Sequence, residues 1–256
     1  MNKSNVAILS LIFLVLSSCV SNKNIAYFQN NEIKKQDVSN DFKIHYKPDD
    51  LLQILIFSED YLAAKPFNLP VASILNTTNT VVAVPQQQTY LVDSKGQIDF
   101  PVIGKIKVGG LSSEELVELL KNELDPTYIL NPTINVRIVN FKITVLGDVT
   151  RPGSYNIPNE RVSLLDAIGL AGDLTISGKR NNVMIIREEN GEKNQYVVDL
   201  RSNDIFTSPV FYLKQNDIVY VQHNNAAIQS ASFNSNTTLF ISIGSVLISL
   251  LTILTR

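Results

Sequence analysis

Few side chains in this sequence are spaced to do covalent chemistry. The acidic pairs Asp49-Asp50 and Glu59-Asp60 supply the carboxylates a glycosidase would need. Neighbouring carboxylates on a strand or turn point apart, so both pairs are expected to be solvated turn residues. His45 and His223 are isolated, each expected at a surface or strand end. No nucleophile motif, phosphate-binding glycine loop, zinc spacing or dinucleotide fingerprint occurs. The expectation is a protein with no catalytic residue, no metal and no cofactor. Tyr90, Tyr155, Tyr196, Tyr212 and Tyr220 could stack on a sugar, although tyrosine is also ordinary strand fill.

The informative chemistry lies at the two ends. Lys3 precedes an uncharged apolar run from Val6 to Leu16, the layout of a secretory signal peptide. Leu16-Ser17-Ser18-Cys19 follows and resembles the lipobox of bacterial lipoproteins, in which the cysteine is acylated. Cys19 is the single cysteine of the chain, so an internal disulfide is excluded as well. The mature protein is expected to begin at Cys19 with a triacyl (palmitate-bearing) anchor, which holds far more firmly than one acyl chain. At the other end, no Asp, Glu, Lys or Arg falls between Asp217 and Arg256, and Leu239 to Leu254 is an apolar run at the short end of what crosses a bilayer. Thr238, Ser242, Ser245, Ser249 and Thr252 recur in it at steps of four, three, four and three. On a helix these five share an arc of roughly 80°, with hydrocarbon on the remainder. Such a seam suits either close helix–helix packing in a membrane or a water-facing pore wall built from several copies.

Between those ends, 256 residues with 45% hydrophobic and 18% charged composition describe an ordinary globular chain. A net charge of −2 without long charged blocks gives no footprint for nucleic acid. The boundaries expected are signal peptide 1–18, linker 19–42, a first domain 43–140, a second domain 141–223, linker 224–236 and a membrane helix 237–256. Lys47-Pro48-Asp49-Asp50 is a turn before the buried strand that ends at Phe57. Tyr61 to Thr89 has one charge, three prolines and no period, and is expected to be an inserted loop. Tyr90 to Val92 and Gln97 to Phe100 flank Asp93-Ser94-Lys95-Gly96, a hairpin signal with Gly96 in the turn. Ser112 and Glu115 form a capping box for a helix whose inward face is Leu116, Leu119, Leu120 and Leu124. In the second half a strand reaches Gly147, and Arg151-Pro152-Gly153 reads as a type II turn. Ser163 caps a short helix ending at Gly172, and the closing strand follows Lys214-Gln215-Asn216-Asp217. The fold class is α+β, not an alternating parallel sheet.

These motifs together resemble the outer-membrane polysaccharide export family. The first domain resembles its polysaccharide export domain through Pro48 to Asp50, Leu91 to Gly104, the Gly110 to Leu120 helix start and Asn131-Pro132 to Val139. The second resembles its soluble-ligand-binding β-grasp (SLBB) domain through Leu146 to Val149, Arg151-Pro152-Gly153 and Ser163 to Gly172. Asp49 and Asn216 stand where the family's turns usually have glycine, and one β-grasp domain is present where better-known members have two. The resemblance implies an α+β export domain, one β-grasp (SLBB-like) domain and a C-terminal transmembrane or amphipathic helix. It further implies a lipid-anchored, octamer-like ring of identical subunits in the outer membrane, with its bulk in the periplasm. Such a ring exports a capsular or extracellular polysaccharide through a porin-like channel and works with an inner-membrane copolymerase, often a tyrosine autokinase. The other reading is a periplasmic scaffold lipoprotein that binds a glycan or a partner and has a second, C-terminal anchor.

Overall fold

A computed structural model describes residues 25–29, 43–74, 84–189, 191–225, 227–228 and, in the tail, 242–246, 249–250 and 253. Cys19, the signal peptide, Thr238 and Thr252 lie outside the described residues. In the first domain, β1 (Leu51–Phe57) is the centre of an antiparallel sheet, with β4 (Tyr90–Leu91) on one side and β7 (Thr133–Ile138) on the other. Leu52, Ile54 and Ile56 alternate inward along β1 and are buried, the period of two that a half-exposed strand requires.

The hairpin expected across residues 93–96 forms only as a turn. Gly96 adopts φ +72 and Asp93 Oδ1 accepts from Lys95 N and Gln97 N, but the flanking strands take different partners. β4 pairs with β1, while β5 (Gln97–Phe100) pairs with β6 (Gly104–Lys107) around Pro101-Val102-Ile103. Tertiary pairing overrode the local hairpin signal. The described parts of the expected loop, residues 61–74 and 84–89, carry secondary structure. They include the one-turn helix α1 (Tyr61–Ala64), a 3-10 turn at Lys65–Phe67, and an antiparallel pair β2 (Val71–Ile74) and β3 (Val84–Gln87). Asp60 caps α1 through Leu62 N and Ala63 N, and Asn68 ties the 3-10 turn back to Ile56. These polar tethers leave no hydrophobic period to find.

Helix α2 (Ser113–Leu124) begins with the expected capping box: Glu115 N donates to Ser112 Oγ and Ser112 N to Glu115 Oε2. Leu116, Leu120 and Leu124 are buried and Leu119 is partly so. Fully burying such a leucine stabilises by about 1.5–3 kcal/mol, so three in one row fix the helix against the sheet far more firmly than its propensity would.

The second domain is a five-stranded mixed sheet in the order β12-β11-β14-β8-β9. Its strands are β8 (Lys142–Gly147), β9 (Gly153–Asn156), β11 (Gly178–Glu189), β12 (Glu192–Val198) and β14 (Ile218–His223). β14 and β8 run parallel, and the other neighbours are antiparallel. Between them lie β10 (Val162–Ser163), the capped helix α3 (Leu164–Leu170) and β13 (Tyr212–Leu213). The type II turn at Arg151-Pro152-Gly153 is not formed. Gly153 lacks the positive φ that such a turn needs and already belongs to β9, while the left-handed residue is Gly147, at φ +89. The reason is pairing: β8 stays bonded to β14 through Gly147, so the chain reverses only after it. A Cβ at Gly147 would lie 2.0 Å from Val221 O. Gly172, at φ +75, ends α3 as expected.

The two domains share one continuous cluster of buried apolar residues. β8 and β14 both start at the domain junction and run away from it, so Asp148 and His223 sit at the remote end of the second domain. β1 likewise leads from the junction at Leu51 to Phe57. Residues 225, 227 and 228, expected to be linker, are helical; Asn224 caps them, its Oδ1 accepting from Ala227 N and its carbonyl from Ile228 N.

Candidate functional site

The two turns that the sequence marks by their missing glycines are copies of one device. In Lys47-Pro48-Asp49-Asp50 and in Lys214-Gln215-Asn216-Asp217 the third residue is left-handed, Asp49 at φ 71 and Asn216 at φ 66. Asp and Asn tolerate that region best after glycine. In each, the lysine N–H donates to the carboxylate of the fourth residue at 2.8 Å, and that residue's N–H returns to the lysine carbonyl.

Both fourth-position carboxylates are buried, 1% exposed in each case, which corrects the expectation that Asp49-Asp50 is solvated as a pair. Asp217 is matched by Arg187, which follows Val183 and Ile185 on the inward face of β11 and meets it at 2.7 Å. Arg187 also donates to Tyr212 O and Pro209 O. Asp50 takes part in none of the ion pairs among the described residues. Loss of hydration pushes its carboxyl up to about 6, against the pull of the Lys47 backbone bond.

The turns stand at the junction and are locked to it. Asn140 Nδ2 donates to Asp49 O and Asn140 Oδ1 accepts from Leu51 N, both at 2.9 Å. Gln215 Nε2 donates to Asn140 O at 2.8 Å and its Oε1 accepts from Lys142 N at 2.7 Å. Ile138 N reaches across to Glu160 Oε1 at 2.7 Å. Between the turns opens a cleft of about 730 Å³. Lys47, Lys95, Lys107 and Lys193 line it, with Asp49 and Glu188, and Lys47 Nζ crosses it to Glu188 O at 3.1 Å. No nucleophile and base meet there; the lining suits an anionic or polyhydroxylated ligand. On the far side of the sheet, Lys214 meets Glu189 at 2.8 Å and holds its carboxyl down at about 2.

His223 is not isolated. Its Nδ1 lies 2.9 Å from the buried Asp148 Oδ2, while Asp148 Oδ1 accepts from Thr175 Oγ1. The tyrosines do not assemble: Tyr90 packs on Phe100, Tyr212 lies under Arg161, and Tyr196 bonds Glu189.

A family model described as "Polysaccharide biosynthesis/export protein" matches residues 25–139, and one described as "SLBB domain" matches 141–221. This chain belongs to the polysaccharide biosynthesis/export family. The two matches meet at Asn140, the residue that locks the junction. Over 142 residues the chain is 25% identical to "EPS I polysaccharide export outer membrane protein EpsA" of Ralstonia solanacearum and to the protein of that name in Ralstonia nicotianae. The similar stretch covers 54% of this chain and 37% of each relative.

Of the tail seam, Ser242, Ser245 and Ser249 are described, helical and exposed. Ser245 Oγ donates to Ser242 O, and Ser249 Oγ to Ser245 O and Val246 O. Hydroxyls bonded back onto their own helix have their donors satisfied against either water or lipid. Among the described residues no helix is long and apolar enough to cross a membrane.

The sequence reading missed Arg187, Asn140, Gln215 and the pairing of His223. None of these had a visible signal; the equivalence of the buried Asp50 and Asp217 did, through the spacing shared by Lys47-Pro48-Asp49-Asp50 and Lys214-Gln215-Asn216-Asp217.

Proposed function

We propose that this chain is an outer-membrane lipoprotein that exports a capsular or extracellular polysaccharide, acting as one subunit of a ring-shaped homo-oligomeric channel. Acylation at Cys19 holds it to outer-membrane lipid, its folded domains lie in the periplasm, and tail helices from neighbouring copies enclose the pore. An inner-membrane copolymerase, of the kind that is often a tyrosine autokinase, delivers the polymer. The observation that carries the reading is the joint presence of an export domain and an SLBB domain locked at Asn140. The outer-membrane export role named for the two relatives supports it. Uncharged serines along the tail would let a hydrated polymer slide without holding it.

The mass of the detergent-extracted assembly tests the reading: a closed ring gives one discrete multiple of the protomer, and a stable monomer refutes it. Cysteines replacing Ser242, Ser245 and Ser249 are expected to react with a water-soluble thiol reagent in intact cells, and cysteines replacing Leu247 and Leu250 to be protected. The alternative is a periplasmic glycan- or partner-binding scaffold with a second anchor, with which the hydroxyls of Ser245 and Ser249, satisfied without water, are equally compatible. Uniform protection would select it.

A further inference from the structure

The residues just beyond Cys19 are fastened to the second domain, although the family match assigns them to the first. Phe28 N donates to Leu200 O and Gln29 N to Arg201 O at 2.7 Å. The Tyr27 hydroxyl donates to Asp173 Oδ1 and its ring lies 5.4 Å from the Arg180 guanidinium. Phe28 stacks on Phe206, with centroids 5.4 Å apart. Burial and the Asp173 bond push the Tyr27 phenol upward, so it stays a neutral donor.

The C-terminal tail leaves from the same place. Asn224, which caps the first helical residues of the tail, donates its N–H to Ser177 O at 2.7 Å, and Gly178 pairs with His223. The loop 173–178 therefore holds both ends. Arg180 braces it from beneath, donating to Thr175 O and Gly178 O. Ile176, at its tip, is 70% exposed. Lys179 and His223 flank the loop, and Arg151, which donates to Leu170 O, stands beside Gly172. Asp148 and Asp173, the acidic groups beside it, are occupied by Thr175 and His223 and by Tyr27.

We propose that this loop is a lipid-contacting face: Ile176 enters the phospholipid leaflet that carries the Cys19 acyl chains, with Arg151 and Lys179 against its anionic headgroups. The inference rests on acylation at Cys19. From Cys19 to Ala26 a fully extended chain spans at most about 25 Å, so the anchor cannot lie far from the Tyr27 dock. The export domain then points away from the membrane. Phe57 and the exposed Leu62 lie one strand length, roughly 20 Å, from the junction at the end of β1 remote from it.

The test uses the acylated full-length protein in vesicles of phosphatidylethanolamine and phosphatidylglycerol that contain an acyl-chain nitroxide lipid. Ile176→Cys and Leu62→Cys are each labelled with an environment-sensitive fluorophore. Cys19 is the only native cysteine, and once acylated its sulfur takes no label, so labelling of the unsubstituted protein reports the anchor independently. The expected result is that the protein floats with the vesicles, the label at 176 is blue-shifted and loses most of its emission, and the label at 62 is unaffected. Flotation with both labels unquenched, or with both quenched, overturns the lipid face and leaves the anchor standing. A labelled Cys19 and no flotation overturn the anchor and the lipid face together.

Discussion

The twin turns permit one sharp test, because the same carboxylate position is paired in one domain and unpaired in the other. Asp50 is buried and its carboxyl is raised from 3.8 to about 6, chiefly by lost hydration. The folded protein therefore binds the Asp50 proton more tightly than the unfolded chain. The sign follows: between about pH 4 and pH 6 the folded state holds more protons, so stability falls as pH rises through that window and the penalty is complete above it. Its size, for a carboxyl moved that far, is about 3 kcal/mol.

Asp50→Asn keeps an acceptor for Lys47 N–H and removes the titration. The new amide hydrogens add a buried cost of their own, but that cost does not vary with pH. The quantity to measure is the difference in unfolding free energy between variant and parent, from urea denaturation at about pH 4 and at about pH 7. It is expected to move by about 2 kcal/mol in favour of Asn as pH rises, part of the penalty being already present at about pH 4. Asp217→Asn, made in parallel, strands the buried Arg187 and is expected to cost about 3–5 kcal/mol at neutral pH. Parallel stability curves for Asp50→Asn and its parent would refute the reasoning, since Asp50 would then ionise in the folded protein as it does in water.

Two further outcomes follow from backbone geometry. Gly147→Ala places a Cβ 2.0 Å from Val221 O at a residue with φ +89, so it must part β8 from β14; a loss of more than about 3 kcal/mol by thermal or urea unfolding is expected. Val102 is a β-branched residue at φ 68 in the exposed turn between β5 and β6; Val102→Asn is expected to raise stability by about 1 kcal/mol, and an unchanged or lower melting temperature would count against strain there.

How much the sequence disclosed depended on the range of the interaction. Helix α2 was legible to the residue because its cap is made within four positions, Ser112 to Glu115, and its face repeats each turn. The same holds for Ser163 and Asp166 at the start of α3. The left-handed turns at Asp49 and Asn216 were legible because few residue types tolerate that backbone. The turn at Lys65–Phe67 was not, since it is held by tethers such as Asn68 to Ile56 that leave no pattern.

The sequence by itself determined the two capped helices, the left-handed turns, the two-domain order and the family they belong to, because caps, turn residues and inward-facing periods are written in adjacent positions. Tertiary structure alone decided which strands pair, which of two equivalent aspartates receives an arginine, and that the segment after Cys19 is fastened to the second domain. Arg187 and Asp217 are thirty positions apart and Tyr27 and Asp173 nearly one hundred and fifty. Contacts of that range leave no periodic mark, and burial, which sets the charge of Asp50, exists only once the chain has closed around it.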